Sequence, residues 1–209
     1  ERKFTIPARN QAIVREFRKV MEDGYVDATG YLRKPLIGKT IVFAVTKRHA
    51  ETLATLIDNQ FAHLKPSPEI KYADYVVSGV GQGDDTTDAM ARIRRFKKEK
   101  FPQVLVSVNM LDTGFDCPEV VNLIFARYTK SVTLYRQMLG RGTRKSQGKP
   151  VFTMFDFVGV ADAHEGDDGY AEGGNLTERD PRPRPDPRTL VTVDQNDEID
   201  PLTRSWVTM

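Results

Sequence analysis

The chain is expected to be an α/β protein: a parallel sheet with helices on both faces, followed by an irregular acidic tail. Three observations predict this. Short continuous runs of β-branched and aromatic residues, the mark of strands covered on both faces, recur along the first three-quarters of the chain. Between them stand segments with apolar residues at helical spacing, the alternation that gives parallel sheets. Beyond Ala161 the apolar pattern gives way to glycine, proline and acidic residues.

The elements follow in order. Asn10 to Asp23 carries Ile13, Val14, Phe17, Val20 and Met21 on one helical stripe, which stops before Gly24. Gly24 to Lys39 has no period and reads as a connection. Thr40–Val45 is a buried strand, and Thr46 is placed to cap a helix with Ala50, Leu53, Leu56 and Ile57 inward. Tyr75–Val77 reads as a short strand before a loop of Gly79, Gly81 and Gly83. A helix from about Thr87 is expected to bury Met90, Ile93 and Phe96 and to expose Arg92, Arg94, Arg95, Lys97 and Lys98. Val104–Val108 and Val120–Phe125 are further strands, Ser131 can cap a helix bearing Leu134, Tyr135, Met138 and Leu139, and Val151–Phe155 is expected to close the series. In the tail, Leu190–Val193 could add one docked strand. The domains expected are a leading helix and connection over 1–35, a core over 36–161 and a tail over 162–209.

Of 209 residues, 39% are hydrophobic, enough for one substantial core. The single cysteine, Cys117, excludes a disulfide framework and a cysteine-rich zinc site, and suits a reducing cytoplasm. No apolar run approaches the ~20 residues of a membrane span. His49 and His63 have no partners at ligand spacing, so no metal is expected on this chain alone. The net charge of +2 conceals an asymmetry. Residues 1–161 carry 26 Lys and Arg against 17 Asp and Glu, a balance of +9; residues 162–209 carry 5 against 12, or −7. A basic core suits a polyanion, since neutralised phosphates release counterions. The Arg92–Lys100 run reads more readily as a solvated helix face.

Two motifs carry chemistry. Gln137-x-x-Gly140-Arg141-x-x-Arg144 ends a helix with arginines whose planar fork places fixed positive charge on phosphate oxygens. Gly140 and Gly142 permit a tight exit there. An ordinary helix C-terminus, where glycine and cations are favoured, is the alternative. Thr113-Gly114-Phe115-Asp116-x-Pro118 lies between two buried strands, and ligand residues gather at strand carboxyl ends in open α/β sheets. Asp116 can accept from a ribose hydroxyl and Gly114 allows close approach, or Asp116 is simply a turn residue. Ser107, Asn109 and Thr113 are polar groups available to a nucleic-acid phosphate. Gly38-Lys39-Thr40 imitates a phosphate-binding loop, but that loop needs glycine where Arg33 stands and must open a helix, not a strand.

Across roughly residues 35–160 these motifs resemble, in order and separation, the second RecA-like domain of superfamily 2 helicases. The resemblance implies that Thr46, Lys47 and Arg48, with Ser107, Asn109 and Thr113, touch the nucleic-acid backbone. It implies that Gly114, Asp116, Arg141 and Arg144 face ATP, and that Gln137, Arg141 and Arg144 form the catalytic motif, with Arg144 the finger. Val108 stands where many members have threonine. The Met110–Pro118 run, Gly140–Arg144 and Phe155-Asp156-Phe157 with its acidic tail look most like the motor subunit of type I restriction enzymes.

That resemblance implies an ATP-dependent translocase on duplex DNA. ATP and Mg2+ would be held mainly by a first RecA-like domain, target choice would come from specificity and methylation subunits, and a nuclease segment would lie upstream. Lacking the phosphate-gripping loop, this chain alone is expected not to hydrolyse ATP. The competing readings are a repair or RNA helicase of the same superfamily, and a non-catalytic docking module for DNA or protein.

Overall fold

The computed structural model describes residues 7–27, 29–77, 84–109, 115–164, 189–194 and 205–207. Five strands lie parallel: β3 (Lys39–Phe43), β4 (Ala73–Val77), β5 (Val104–Val108), β6 (Val120–Phe125) and β7 (Val151–Asp156). Their order across the sheet is β4-β5-β3-β6-β7. Two strands from the tail, β8 (Thr189–Asp194) and β9 (Ser205–Val207), extend this sheet in antiparallel fashion beyond β7. Val151–Phe155 therefore does not close the sheet. The expected strand at Leu190–Val193 is present, and the second tail strand was not foreseen.

Period-two alternation of the strands builds two cores. On one face Val42, Ala44, Val106, Ile124 and Phe155 meet α1 (Pro7–Asp23) and α2 (Lys47–Gln60). On the other, Ile41, Phe43, Leu105, Leu123, Phe125 and Phe152 meet α3 (Asp84–Lys98) and α4 (Val132–Leu139), with α5 (Val160–Ala163) beside them. Helices thus cover both faces, as expected. Phe17 of α1 stands edge-on to Phe155 at 5.2 Å and against Phe61 at 5.4 Å. Burying each such ring contributes about 1.5–3 kcal/mol, which fastens the N-terminal helix to the domain core.

The cap residues act as the sequence implied. Thr46 Oγ1 accepts from the His49 amide at 3.1 Å, and Ser131 Oγ accepts from the Leu134 amide at 3.2 Å. Two expectations need correction. Within Gly24–Lys39 a small antiparallel pair forms, β1 (Tyr25–Val26) with β2 (Leu32–Arg33). Its turn is organised by Asp27, whose carboxylate accepts from the amides of Thr29 and Tyr31, the Thr29 hydroxyl and Arg33 Nε. These bonds hold the Asp27 carboxyl well below the usual carboxylate range. In α3, Phe96 is buried and Ile93 packs partly buried beside it, as expected, but Met90 is exposed and Ala89 is buried in its stead. Ala89, Ile93 and Phe96 stand at i, i+4 and i+7, which places Met90 one step off the buried stripe; the helix begins at Asp84, earlier than expected. The Gly79–Gly83 loop and the tail beyond His164, apart from β8 and β9, lie outside the described residues.

No helix among the described residues is long and apolar enough to cross a membrane.

Candidate functional site

Parallel strands oblige every connection to travel from the carboxyl edge of the sheet back to its amino edge. The candidate residues divide accordingly. Thr46, Lys47 and Arg48 follow β3, and Asn109 follows β5, so they lie at the carboxyl edge. Phe115–Glu119 immediately precedes β6, whose first residue Val120 pairs with Lys39 at the start of β3. Asp116 therefore stands at the amino edge, which corrects the expectation that it sits at strand carboxyl ends. The α4 helix makes the same journey: it starts at Ser131 after β6 and delivers Gln137, Arg141 and Arg144 to the amino edge before β7.

At the amino edge Arg144 donates to Asp116 Oδ1 at 2.7 Å, with the two side chains 43% and 56% exposed. The arginine and the carboxylate singled out by the motifs thus converge at one solvent-facing point. Gln137 is exposed on the last turn of α4. Arg141 differs from Arg144 in burial: it is 8% exposed and its guanidinium donates to the Phe115 carbonyl. It binds the Asp116 loop to the end of α4. Gly142 has a packing reason not read from sequence, since a Cβ there would lie 2.6 Å from the Phe152 ring and 2.9 Å from Leu123. Gly140 caps α4 in ordinary helical conformation, its amide donating to the Arg136 carbonyl.

Sequence reasoning missed Lys149. Its side chain is buried at the amino edge, with Nζ donating to the carbonyls of Gly142 at 2.6 Å, Arg144 at 2.8 Å and Pro118 at 3.2 Å. Burial pulls its ammonium down to about 8. Nothing in Gly148-Lys149-Pro150 distinguishes it from a surface turn. Cys117 in the same loop is buried, and burial pushes its thiol up, away from the reactive thiolate.

At the carboxyl edge Lys47 and Arg48 are exposed in the first turn of α2, and Thr46 spends its hydroxyl on the cap. Asn109 has φ 58°, a left-handed conformation that asparagine tolerates, and its Oδ1 accepts from Arg127. Arg127 is a further cation of this edge, unmarked in sequence because it follows a strand with no motif around it. Ser107, the penultimate residue of β5, is 2% exposed between Phe43 of β3 and Val76 of β4, so its hydroxyl is enclosed in the sheet rather than presented at this edge. Thr113 and Gly114 lie outside the described residues. In the basic α3 run, Arg92 joins Asp88 at 2.6 Å and buried Asp74 at 3.0 Å, while Arg94, Arg95, Lys97 and Lys98 are exposed.

The parallel sheet with helices on both faces, the arginine turn after α4 at one edge and the cations after β3 and β6 at the other are the arrangement of a RecA-like helicase domain. Residues 27–146 match the helicase conserved C-terminal domain, and the chain belongs to that family. It is 35% identical over 162 residues to the endonuclease subunit of the type I restriction enzyme EcoKI of Escherichia coli strain K12, and 30% identical over 151 residues to that of EcoAI of Escherichia coli. These alignments cover 76% and 69% of this chain, but 13% and 18% of the relatives, so the chain spans a small part of their length. A solved fragment assigned as an HsdR subunit of a type I restriction enzyme from Vibrio vulnificus YJ016 superposes with a TM-score of 0.62 at 26% identity, over 82% of this chain and 32% of the fragment. Domain 2 of the DEAD-box helicase Mss116p matches with a TM-score of 0.51 at 17% identity over 78% of this chain and 56% of that one, which establishes the RecA-like fold.

Proposed function

We propose that this chain is the second motor domain of an ATP-dependent DNA translocase, of the kind found in the endonuclease subunit of type I restriction enzymes. The observation that carries the reading is the convergence of Arg144 and Asp116, 2.7 Å apart and open to solvent at the end of α4. A docking surface has no need of an arginine held ready beside a sugar-binding carboxylate. In this reading Asp116 accepts from the ribose, Arg144 presents its guanidinium to the γ-phosphate oxygens as charge redistributes, and Gln137 lines the same side. Arg141 works from behind, through the Phe115 carbonyl. ATP is the substrate, gripped mainly by a first RecA-like domain of the same polypeptide, where Mg2+ would neutralise phosphate charge. Thr46, Lys47, Arg48 and Asn109, joined by Arg127, hold the DNA backbone at the opposite edge, and Thr113, outside the described residues, is expected to join them. Such contacts carry no sequence information, so target choice falls to separate specificity and methylation subunits.

Triplex displacement tests the reading. The full-length motor polypeptide, with its partner subunits and ATP, should strip a third strand from linear duplex DNA without separating the duplex. Unwinding of forked DNA or RNA with no triplex displacement would instead favour a repair or RNA helicase.

A further inference from the structure

Lys149 is used by none of the chemistry above, yet it is the most deeply placed cation beside it. A protonated ammonium has three donors and no acceptor. Here three backbone carbonyls lie within reach, those of Gly142, Arg144 and Pro118. The first two flank Thr143 in the turn that carries Arg144, and the third belongs to the loop that carries Asp116. We infer that Lys149 is a positioning residue for Arg144, its ammonium fixing the backbone from which the finger projects and tying that turn to the Asp116 loop. The inference rests on the reading of Arg144 as the finger.

Two anchors of unequal strength hold the Arg144 turn. The only side-chain ion pair found for Arg144 among the described residues is the solvent-exposed one with Asp116, and exposed pairs hold geometry weakly. That pair must also yield when the carboxylate and the guanidinium turn to a nucleotide. The bonds from Lys149 are shielded from water and involve backbone, so they persist through that exchange. At about 8, the ammonium remains protonated at neutral pH and keeps all three donors. A second buried lysine provides the contrast. Lys39 Nζ donates to the carbonyls of Glu99, Lys100 and Pro102 and stands 4.9 Å from the Phe96 ring. The same clamp there gathers the end of α3 and touches no candidate site residue, so its removal should affect stability alone.

A double-mutant cycle in the full-length motor polypeptide separates positioning from general support. In the wild-type background Lys149→Met should lower the kcat of DNA-stimulated ATP hydrolysis about 10- to 100-fold, the scale expected when a reacting group is displaced by about 1 Å, with KM for ATP nearly unchanged. In an Arg144→Ala background the same substitution should change kcat by less than about twofold, because no finger remains to misplace. Lys39→Met should have equal fractional effects in both backgrounds. Should Lys149→Met prove unfolded by circular dichroism, Lys149→Gln, which keeps amide donors, is carried through the same cycle. Equal fractional losses for the Lys149 variant in both backgrounds, or no loss in either, would overturn the inference while leaving the finger in place. If Arg144→Ala itself leaves kcat unchanged, the finger assignment falls and the inference falls with it.

Discussion

At the residue scale, two arginines three positions apart in one motif have opposite surroundings. Arg144 projects to solvent beside Asp116, whereas Arg141 is buried against the Phe115 carbonyl. Removing Arg141 orphans that carbonyl and loosens the loop, at a cost of about 1.5–3 kcal/mol for a charged hydrogen bond. Arg141→Ala should therefore lower the denaturant midpoint of the domain measurably while Arg144→Ala leaves it unchanged; equal midpoints for the two variants would contradict the division of roles. The motif was legible in the sequence, because glycine and arginine at that spacing after an apolar helix are distinctive. The division of labour was not, since Arg141 turns to a backbone carbonyl, that of Phe115, while Arg144 meets Asp116, and only the fold brings that loop beside the end of α4. Lys149 was invisible for the same reason. Its partners are backbone carbonyls, and a carbonyl leaves no trace in residue identity.

At the scale of elements, periodicity carried most of the fold. The stripes of α1, α2 and α4 and the continuous runs of β3, β5 and β6 were plain because each spans enough residues to show its period. The pair β1–β2 was not, being two residues per strand and held by the Asp27 turn. The α1–α2 contact has a consequence in pH. His49, in the first turn of α2, is buried; its Nδ1 accepts from the Val45 amide at 3.3 Å, and burial, helped by the nearby Arg9 charge, lowers its pKa to about 4. The unfolded chain binds a proton near pH 6.5 that the folded one refuses until about 4. Stability is thus complete above 6.5 and falls as pH drops through this window, by about 3 kcal/mol at most. An NMR titration of the His49 ring should give a midpoint near pH 4, and a midpoint near 6.5 would show that the ring is hydrated.

Across the whole molecule, the parallel sheet separates two jobs. The cations Lys47 and Arg48 after β3 and Arg127 after β6, with Asn109 after β5, lie at one edge, and the Asp116–Arg144 pair at the other. Among the described residues α4 joins them, its eight residues spanning roughly 12 Å. In the proposed function, α4 is the element that would carry a change at the amino edge to the carboxyl edge. Sequence order revealed both sets of residues; the fact that they sit at opposite edges came only from strand direction, which a linear motif does not state. The central claim is that Arg144 acts on the phosphate during hydrolysis. The most direct measurement is kcat for ATP at saturating duplex DNA, in the full-length motor polypeptide, for wild type and Arg144→Ala. Loss of the guanidinium should lower kcat about 10³-fold or more with DNA affinity retained, the range seen when an arginine finger is lost. A kcat within a few-fold of wild type would contradict that role.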